Sequence, residues 1–202
     1  VNIMNNMIFE KQTHIIEASQ RLFFKYGIKR VTVEDICKEA NVSKMTYYKY
    51  YKNKNAILKT TLQLIFTDAE TKFRDLVASN QTTQSKFEAI IKMKIDALNQ
   101  YSTQFIEEYM RMIPDQTKDI EIFSKLMYEL LVRIIEEGKA KGEISKSVNI
   151  SFILMMLDKF QQFAEDPSIK NFFGQDYIRM ASEITRLFLF GIIGSPDYES
   201  KG

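Results

Sequence analysis

A short polar segment near the amino terminus carries side chains suited to contacts with a polyanion. Lys44, Thr46, Tyr48 and Lys49 follow closely on one another in the chain. They supply ammonium, hydroxyl and phenol groups, which are the groups that reach phosphate oxygens and base edges in a DNA major groove. Placed on one face of a helix, these four side chains would form a surface for nucleic-acid contacts.

Two short helices are predicted to position this surface. Thr32 stands where an N-cap is expected, with Asp35 three residues on in a variant of the capping box, and an apolar stripe follows as far as Ala40. Asn41-Val42-Ser43 predicts a tight turn, with Ser43 as the next N-cap, into a helix from Lys44 to about Tyr51. Two helices joined by a three-residue turn meet the description of a helix-turn-helix.

Packing residues occupy the other faces of the two helices. Cys37 is a small side chain where the helices must cross, and Val42, Tyr47 and Tyr51 are placed to hold the second helix down. We interpret Cys37 as a packing residue, because a redox role would require exposure and a lowered pKa. The polar face of the second helix is then left free.

The charge distribution points in the same direction. Residues 1–60 contain 11 Lys and Arg against 5 Asp and Glu, a balance of +6, whereas residues 61–202 contain 17 against 21, a balance of −4. Taken alone, the excess of positive charge in residues 1–60 is also compatible with an ordinary solvated surface. Because it coincides with the helix-turn-helix, it favours a head that binds nucleic acid, ahead of an anionic membrane surface.

The run from Phe23 to Leu58 resembles the DNA-binding domain of the tetracycline-repressor (TetR) family of bacterial regulators. The resemblance implies an all-helical homodimer in which three N-terminal helices bind DNA and a divergent helical body binds a small ligand and dimerises. The matching motifs are Tyr26-Gly27, Thr32-Val33-Glu34-Asp35-Ile36, Ala40-Asn41-Val42-Ser43-Lys44, and Thr46-Tyr47-Tyr48-Lys49-Tyr50-Tyr51-Lys52-Asn53-Lys54.

The resemblance also implies roles for individual residues. Thr32, Tyr48 and Lys54 match positions that contact phosphates. Lys44, Thr46 and Lys49 match positions that tend to face bases. This chain departs from the family pattern at Met45, a position that is often glycine.

Helical periodicity dominates the rest of the chain and predicts an all-α fold of about nine helices. Besides the two short helices, they are expected at residues 10–26, 54–78, 83–99, 104–113, 117–140, 148–165 and 176–193. We expect residues 1–53 to form the helix-turn-helix DNA-binding domain. Residues 54–202 are expected to form a helical bundle for ligand binding and dimerisation.

Two late helices, covering residues 152–163 and 184–193, are apolar nearly all the way round. A helix of this kind must be covered on every side. We therefore expect a symmetric four-helix dimer interface, although two central helices of a monomer would show the same pattern. The expected interface residues are Phe152, Met156, Phe163, Ile184, Leu187 and Phe188.

Most of the 10 Met and 15 Phe residues lie in the body. Thioethers and large rings suit an adaptable apolar cavity between helices, although the same residues also fill ordinary cores. Lys159 or Glu108 could supply a polar anchor. The expected pocket residues are Phe66, Phe105, Tyr109, Met127, Met155, Lys159 and Phe160.

Composition and motifs argue against several other classes. One Cys and one His leave little for disulfides, zinc sites or histidine-based metal sites, and His14 is expected to be an ordinary surface or packing residue. No nucleophile elbow, P-loop, dinucleotide fingerprint or zinc-protease motif occurs, so we expect neither an enzyme nor a cofactor. The apolar runs are too short to span a bilayer, and residues 1–9 lack a secretory pattern, so a cytoplasmic location is expected.

The sequence therefore predicts a ligand-responsive repressor that binds a palindromic DNA operator as a homodimer and is released by a small, mainly apolar molecule. The alternative is a helical small-molecule carrier or sensor whose N-terminal helices bind protein or membrane. A salt-insensitive partner and the lack of any duplex footprint would favour that alternative.

Overall fold

The computed structural model describes residues 2–112, 117–174 and 176–193, and all regular secondary structure within these ranges is helical. The all-α prediction is confirmed. The described helices are α1 Asn2–Tyr26, α2 Val33–Glu39, α3 Lys44–Tyr50, α4 Lys54–Ala78, α5 Thr83–Asn99, α6 Thr103–Met112, α7 Thr117–Ala140, α8 Ile150–Glu165, α9 Pro167–Phe173 and α10 Tyr177–Ile193.

The predicted count of about nine helices is wrong at one place, because α9 occupies a segment that the sequence pattern predicts to be a break. Asp166 caps this helix by accepting a 2.8 Å hydrogen bond from the backbone N–H of Ser168. Pro167 lies in the first turn of this helix. Backbone N–H groups there have no acceptor within the helix, so the N–H that proline lacks costs no hydrogen bond. The proline that separates α8 from the next helix is therefore also the residue that begins α9.

The chain divides into two compact units. The first combines Val1–Ala69 with Gln100–Thr117, and the second combines Glu70–Asn99 with Lys118–Gly202. The predicted boundary after residue 53 falls between α3 and α4. The boundary between the two compact units falls within α4, between Ala69 and Glu70. The predicted boundary concerns function rather than compactness, and it stays a prediction.

The first unit has a core built from α1–α4 and α6. Ile15 and Ala18 of α1 are fully buried in this core. The segment leading into α6 joins this core through a 2.7 Å hydrogen bond from the Ser102 N–H to the Phe24 carbonyl. The Phe24 ring meets the rings of Tyr101 and Phe105 edge-on, with centroids 4.7 and 5.2 Å away. Buried members of this core include Ile15, Ala18, Phe23, Ile36, Cys37, Tyr47, Tyr51, Ile57, Leu58, Leu62 and Phe105.

The second unit has its own core, and within it α5 packs along α10. A buried ion pair supports this core, because the ammonium of Lys86 donates 2.8 Å to a carboxylate oxygen of Glu137 and 3.0 Å to the Val77 carbonyl. These two partners satisfy a cation that is almost fully buried. The buried apolar members are Leu76, Phe87, Ile90, Leu131, Ile134, Ile135, Ile144 and Ile153.

In the three described ranges, the apolar stretches of the helices are all too short or too polar to cross a bilayer. The same ranges contain no group of three or more His, Cys, Asp and Glu side chains placed to hold a metal ion.

Candidate nucleic-acid interface

The start of α2 is fixed by the predicted capping box. The Thr32 hydroxyl oxygen accepts a 3.1 Å hydrogen bond from the Asp35 N–H, and the Asp35 carboxylate accepts from the Thr32 N–H at 2.9 Å. The Thr32 hydroxyl also donates to the same carboxylate oxygen at 2.7 Å. These hydrogen bonds hold the pKa of Asp35 below its ordinary value. The two residues thus lock the entry to the helix-turn-helix.

The turn between α2 and α3 also has the predicted geometry. Asn41 adopts a φ of 52°, in the left-handed region that asparagine tolerates better than most residues. The N–H of Val42 reaches back 2.9 Å to the Cys37 carbonyl and so closes the end of α2. Ser43 then caps α3 by accepting a 3.0 Å hydrogen bond from the Thr46 N–H. The turn sets the direction in which α3 leaves α2.

A buried tyrosine holds α3 against the first unit. Tyr47 is fully buried, and its hydroxyl donates a 3.1 Å hydrogen bond to the Asn53 carbonyl. Burial raises the pKa of Tyr47 well above its ordinary value, which keeps the phenol protonated as a donor. Tyr51 and Cys37 are also buried in this core, as predicted. Burial likewise raises the pKa of the Cys37 thiol, in keeping with a packing role.

The opposite face of α3 is open to solvent. Met45 is 72 % exposed and Tyr48 is 53 % exposed, and Lys44 and Lys49 are exposed beside them. Thr46 is half-buried, with its hydroxyl 2.9 Å from that of Ser43. The structure therefore brings Lys44, Thr46, Tyr48 and Lys49 together on one short helix, with Met45 among them.

Lys44 is engaged by a carboxylate on the neighbouring helix. Its ammonium forms an ion pair with Glu34 of α2. The contact raises the pKa of Lys44 and lowers the pKa of Glu34. This partner is not predictable from the sequence, because no local spacing rule links residues ten positions apart on two different helices. Glu34 therefore competes with any anion for the Lys44 ammonium.

The ammonium of Lys54 is hydrogen-bonded to backbone carbonyls of the first unit. Its ammonium donates to the carbonyls of Ile28, Lys29 and Val31, at 3.0, 3.3 and 2.9 Å respectively. All three hydrogens of the ammonium are thus used to tie the loop before α2 to the start of α4. A phosphate contact, which the resemblance implies for Lys54, would have to share or replace these hydrogen bonds.

The loop after α1 is fixed from α6 as well. Gly27 takes a φ of 81°, and a β-carbon at this position would lie 2.4 Å from Cγ of Gln104. Glu108 is buried, and its carboxylate accepts 2.8 Å from the Lys29 N–H and 2.7 Å from the Gln104 amide. Glu108 is one of the two polar anchors predicted for a ligand, but its carboxylate already accepts these two hydrogen bonds inside the first unit.

The predicted pocket residues fall in both compact units. In the first, Phe105 is committed to the aromatic core, while Phe66 and Tyr109 are half-buried, and burial raises the pKa of Tyr109 to about 12. In the second, Met127 is half-buried, while Met155 and Lys159 are exposed. The side chain of Phe160 lies outside the described residues. The pocket stays a prediction.

The predicted dimer residues leave apolar surface open on the single chain. Phe152 on α8 is 56 % exposed and Leu187 on α10 is 71 % exposed. Met156 and Ile184 are half-buried, and the side chains of Phe163 and Phe188 lie outside the described residues. Exposed leucine and phenylalanine side chains of this size suit a surface that a partner covers.

Comparison with known proteins gives the site a context. A family model described as bacterial regulatory proteins, tetR family, matches residues 15–61, which run from within α1 to the first turns of α4. The biofilm operon negative transcriptional regulator IcaR of Staphylococcus aureus (strain Newman) is 27 % identical over 171 residues, covering 81 % of this chain and 85 % of that one. The transcriptional regulator UidR of Escherichia coli (strain K12) is 23 % identical over 160 residues, covering 77 % and 81 %.

The fold is also similar to solved structures. The regulator FadR of Bacillus subtilis, crystallised in complex with stearoyl-CoA, aligns with a TM-score of 0.61. The alignment covers 90 % of this chain and 99 % of that chain at 19 % sequence identity. At this identity the likeness concerns the fold alone.

Proposed function

We propose that this chain, a transcriptional regulator of the tetracycline-repressor family, represses transcription by binding a palindromic operator as a homodimer, and that a small, mainly apolar effector releases it. A family model of bacterial regulatory proteins matches residues 15–61, and the relatives UidR and IcaR carry the names of transcriptional regulators. The operator, the dimer and the effector are the parts that we propose.

The observation that carries the proposal is the two-sided character of α3. Tyr47 anchors one side in the core, and the other side presents Lys44, Tyr48 and Lys49 to solvent. A helix held rigidly from behind can enter a major groove without losing its own packing. Tyr48 then supplies a phosphate contact, and Lys44, Thr46 and Lys49 face base edges.

The exposed apolar surface on α8 and α10 supports the proposed dimer. A second copy that covers Phe152 and Leu187 removes both side chains from water. A two-fold dimer presents two copies of α3, which must lie about 34–36 Å apart to enter successive major grooves. The operator is therefore palindromic, with half-sites one helical turn apart.

The effector binds in the body, residues 54–202. The stearoyl-CoA bound to FadR of Bacillus subtilis carries a long apolar chain, and this supports an apolar ligand for the same fold. To release DNA, the effector must bind the conformation that does not bind DNA more tightly than the one that does. Because this coupling is reciprocal, operator DNA weakens effector binding by the same factor.

Selection of binding sites from a random pool of DNA duplexes tests the proposal, followed by affinity measurements over a range of salt concentrations. We expect a palindromic consensus and an affinity that falls steeply with salt. Lys44→Ala is expected to change the base preference. Lys118→Ala, at an exposed position of the second unit, is the matched control. No enrichment, or a flat salt response, would instead support the carrier function.

A further inference from the structure

Met45 lies at the centre of the exposed face of α3. Successive residues of an α-helix are turned by about 100° around the helix axis, so the side chain of Met45 leaves α3 about 160° from that of Tyr47. Tyr47 is fully buried and anchors α3 in the first unit. The direction opposite this anchor is the one that faces DNA in the proposed complex, and it is occupied by an apolar side chain.

Met45 is unusually accessible for an apolar residue. It is 72 % exposed, the highest fraction among the large apolar and aromatic side chains that the structure describes in the first unit. Single exposed apolar side chains are common on protein surfaces and need no explanation by themselves. What distinguishes Met45 is its position on the helix face that the proposed function turns toward base edges.

The two polar residues beside Met45 in the chain are engaged within the protein. The Lys44 ammonium is paired with Glu34, and the Thr46 hydroxyl lies 2.9 Å from that of Ser43. A methionine side chain has three rotatable bonds and a polarizable sulfur, so it adapts its shape to the surface that it meets. Of these three consecutive side chains, Met45 is the one that can contact a base without first giving up a polar contact inside the protein.

Cations around Met45 favour DNA over an apolar protein as its partner. Lys44 and Lys49 are both exposed, and helix geometry places them about 100° and 40° from Met45 around the axis. One methionine among cations is far too small an apolar surface for a stable protein interface. A duplex offers phosphates to the lysines and base edges to the residue between them.

We propose that Met45 contacts the 5-methyl group of a thymine in the operator. The proposal deepens the proposed function and rests on it, because it requires α3 to lie in a major groove. The thymine methyl is the apolar group that DNA base pairs present in that groove. Contact with it removes both the methyl group and the end of the Met45 side chain from water. Met45 then makes thymine the preferred base at one position of each half-site.

The test uses the operator obtained from the duplex selection and replaces its thymines by 2′-deoxyuridine, one at a time and in one half-site. Uracil lacks only the 5-methyl group and keeps the hydrogen-bonding groups of thymine. We expect one thymine at which this loss weakens binding to the wild-type chain about fourfold, the factor that corresponds to one buried methyl group. The same replacement is expected to leave the affinity of Met45→Ala unchanged, because the alanine side chain ends at Cβ. Met45→Leu, which keeps an apolar side chain of similar size, is expected to respond as the wild type does.

The converse replacement separates the methyl group from the rest of the base. With a C·G pair at the responsive position, 5-methylcytosine in place of cytosine is expected to tighten wild-type binding about fourfold and to leave Met45→Ala unchanged. A preference for thymine over cytosine that ignores the methyl group would show that a polar side chain reads the base, and it would overturn the proposal. An equal response of the wild type and Met45→Ala to uracil would also overturn it, because another side chain would then contact the methyl group.

The matched control is Leu64→Ala. Leu64 is another exposed apolar residue of the first unit, and it lies on α4 rather than α3. This variant is expected to respond to uracil as the wild type does. If Leu64→Ala loses the response as well, the effect is not specific to Met45 and the proposal is wrong.

Thermal unfolding without DNA gives a second, independent result. The Tm of Met45→Ala is expected to stay at the wild-type value, since an exposed side chain contributes little to stability. A clear fall in Tm would show that Met45 packs within the protein rather than awaiting a base, and it would overturn the proposal.

The outcomes for the proposed function and for the methyl contact are distinct. A chain that selects an operator but binds it equally well with uracil at every thymine position retains the proposed function and loses the methyl contact. A selected consensus without thymine in its half-sites has the same meaning. A chain that selects no duplex loses both.

Discussion

The ammonium of Lys54, in the first turn of α4, donates a 2.9 Å hydrogen bond to the carbonyl oxygen of Val31, in the loop before α2. The same ammonium also reaches the carbonyls of Ile28 and Lys29. The Lys54 side chain thus ties the loop before α2 to the first turn of α4. Lys54 matches a position that contacts phosphates in the family, but here it also stabilises the fold through these hydrogen bonds.

We expect Lys54→Met to lower the free energy of unfolding by about 1–2 kcal/mol, because three carbonyls lose a charged donor and are left partly to water. Chemical denaturation measures this change. Lys52→Met, at an exposed position two residues earlier, is expected to leave stability within about 0.5 kcal/mol of the wild type. Equal stability of the two variants would show that the three hydrogen bonds contribute nothing.

Glu34→Gln is expected to tighten operator binding about two- to fivefold, and to steepen the dependence of affinity on salt by about one unit of slope. The substitution releases the Lys44 ammonium from its ion pair and removes a carboxylate that would repel phosphates. Affinities measured between low and moderate salt test both effects.

The control for this prediction is Glu39→Gln. Glu39 also lies on α2 and also pairs with a cation, but its partner is Arg21 on α1. Its removal changes the net charge equally without freeing a side chain of α3. If the two variants tighten binding to the same extent, net charge rather than the Lys44 ion pair explains the change.

Two neighbouring tyrosines are expected to separate stability from DNA binding. Tyr47→Phe removes the buried hydrogen bond to the Asn53 carbonyl and should cost about 1 kcal/mol of stability. Tyr48→Phe removes an exposed hydroxyl, so it should leave stability unchanged and weaken binding to all DNA sequences alike. Thermal unfolding and duplex titration on both variants are the measurements. A loss of stability in Tyr48→Phe would contradict its assignment to a phosphate.

Leu187→Asp is expected to dissociate the proposed dimer, because it places a charge on apolar surface that a second copy would cover. Analytical ultracentrifugation should show a monomer at concentrations where the wild type is a dimer, and operator affinity should fall with it. Phe172→Asp, at a 73 % exposed position on α9, is the matched control and should remain dimeric. Dissociation by the control variant alone would move the interface to α9.

The local features of the helix-turn-helix were predictable from the sequence. Capping boxes, N-caps and left-handed turn residues depend on side chains one to three positions apart, so the roles of Thr32, Asn41 and Ser43 follow from the order of the residues. The core role of Tyr47 follows from helical periodicity in the same way.

Partners from distant parts of the chain were not predictable. The pairing of Glu34 with Lys44 and the three carbonyls around Lys54 depend on how the helices cross, which no spacing rule encodes.

The burial of Cys37 has a practical consequence. It is the one thiol in the chain, it lies in the middle of α2, and burial raises its pKa. A thiol-labelling reagent can therefore reach it only in molecules whose helix-turn-helix has opened. The labelling rate then reports how often this head opens, and its slowing on addition of duplex DNA reports occupancy without any engineered probe.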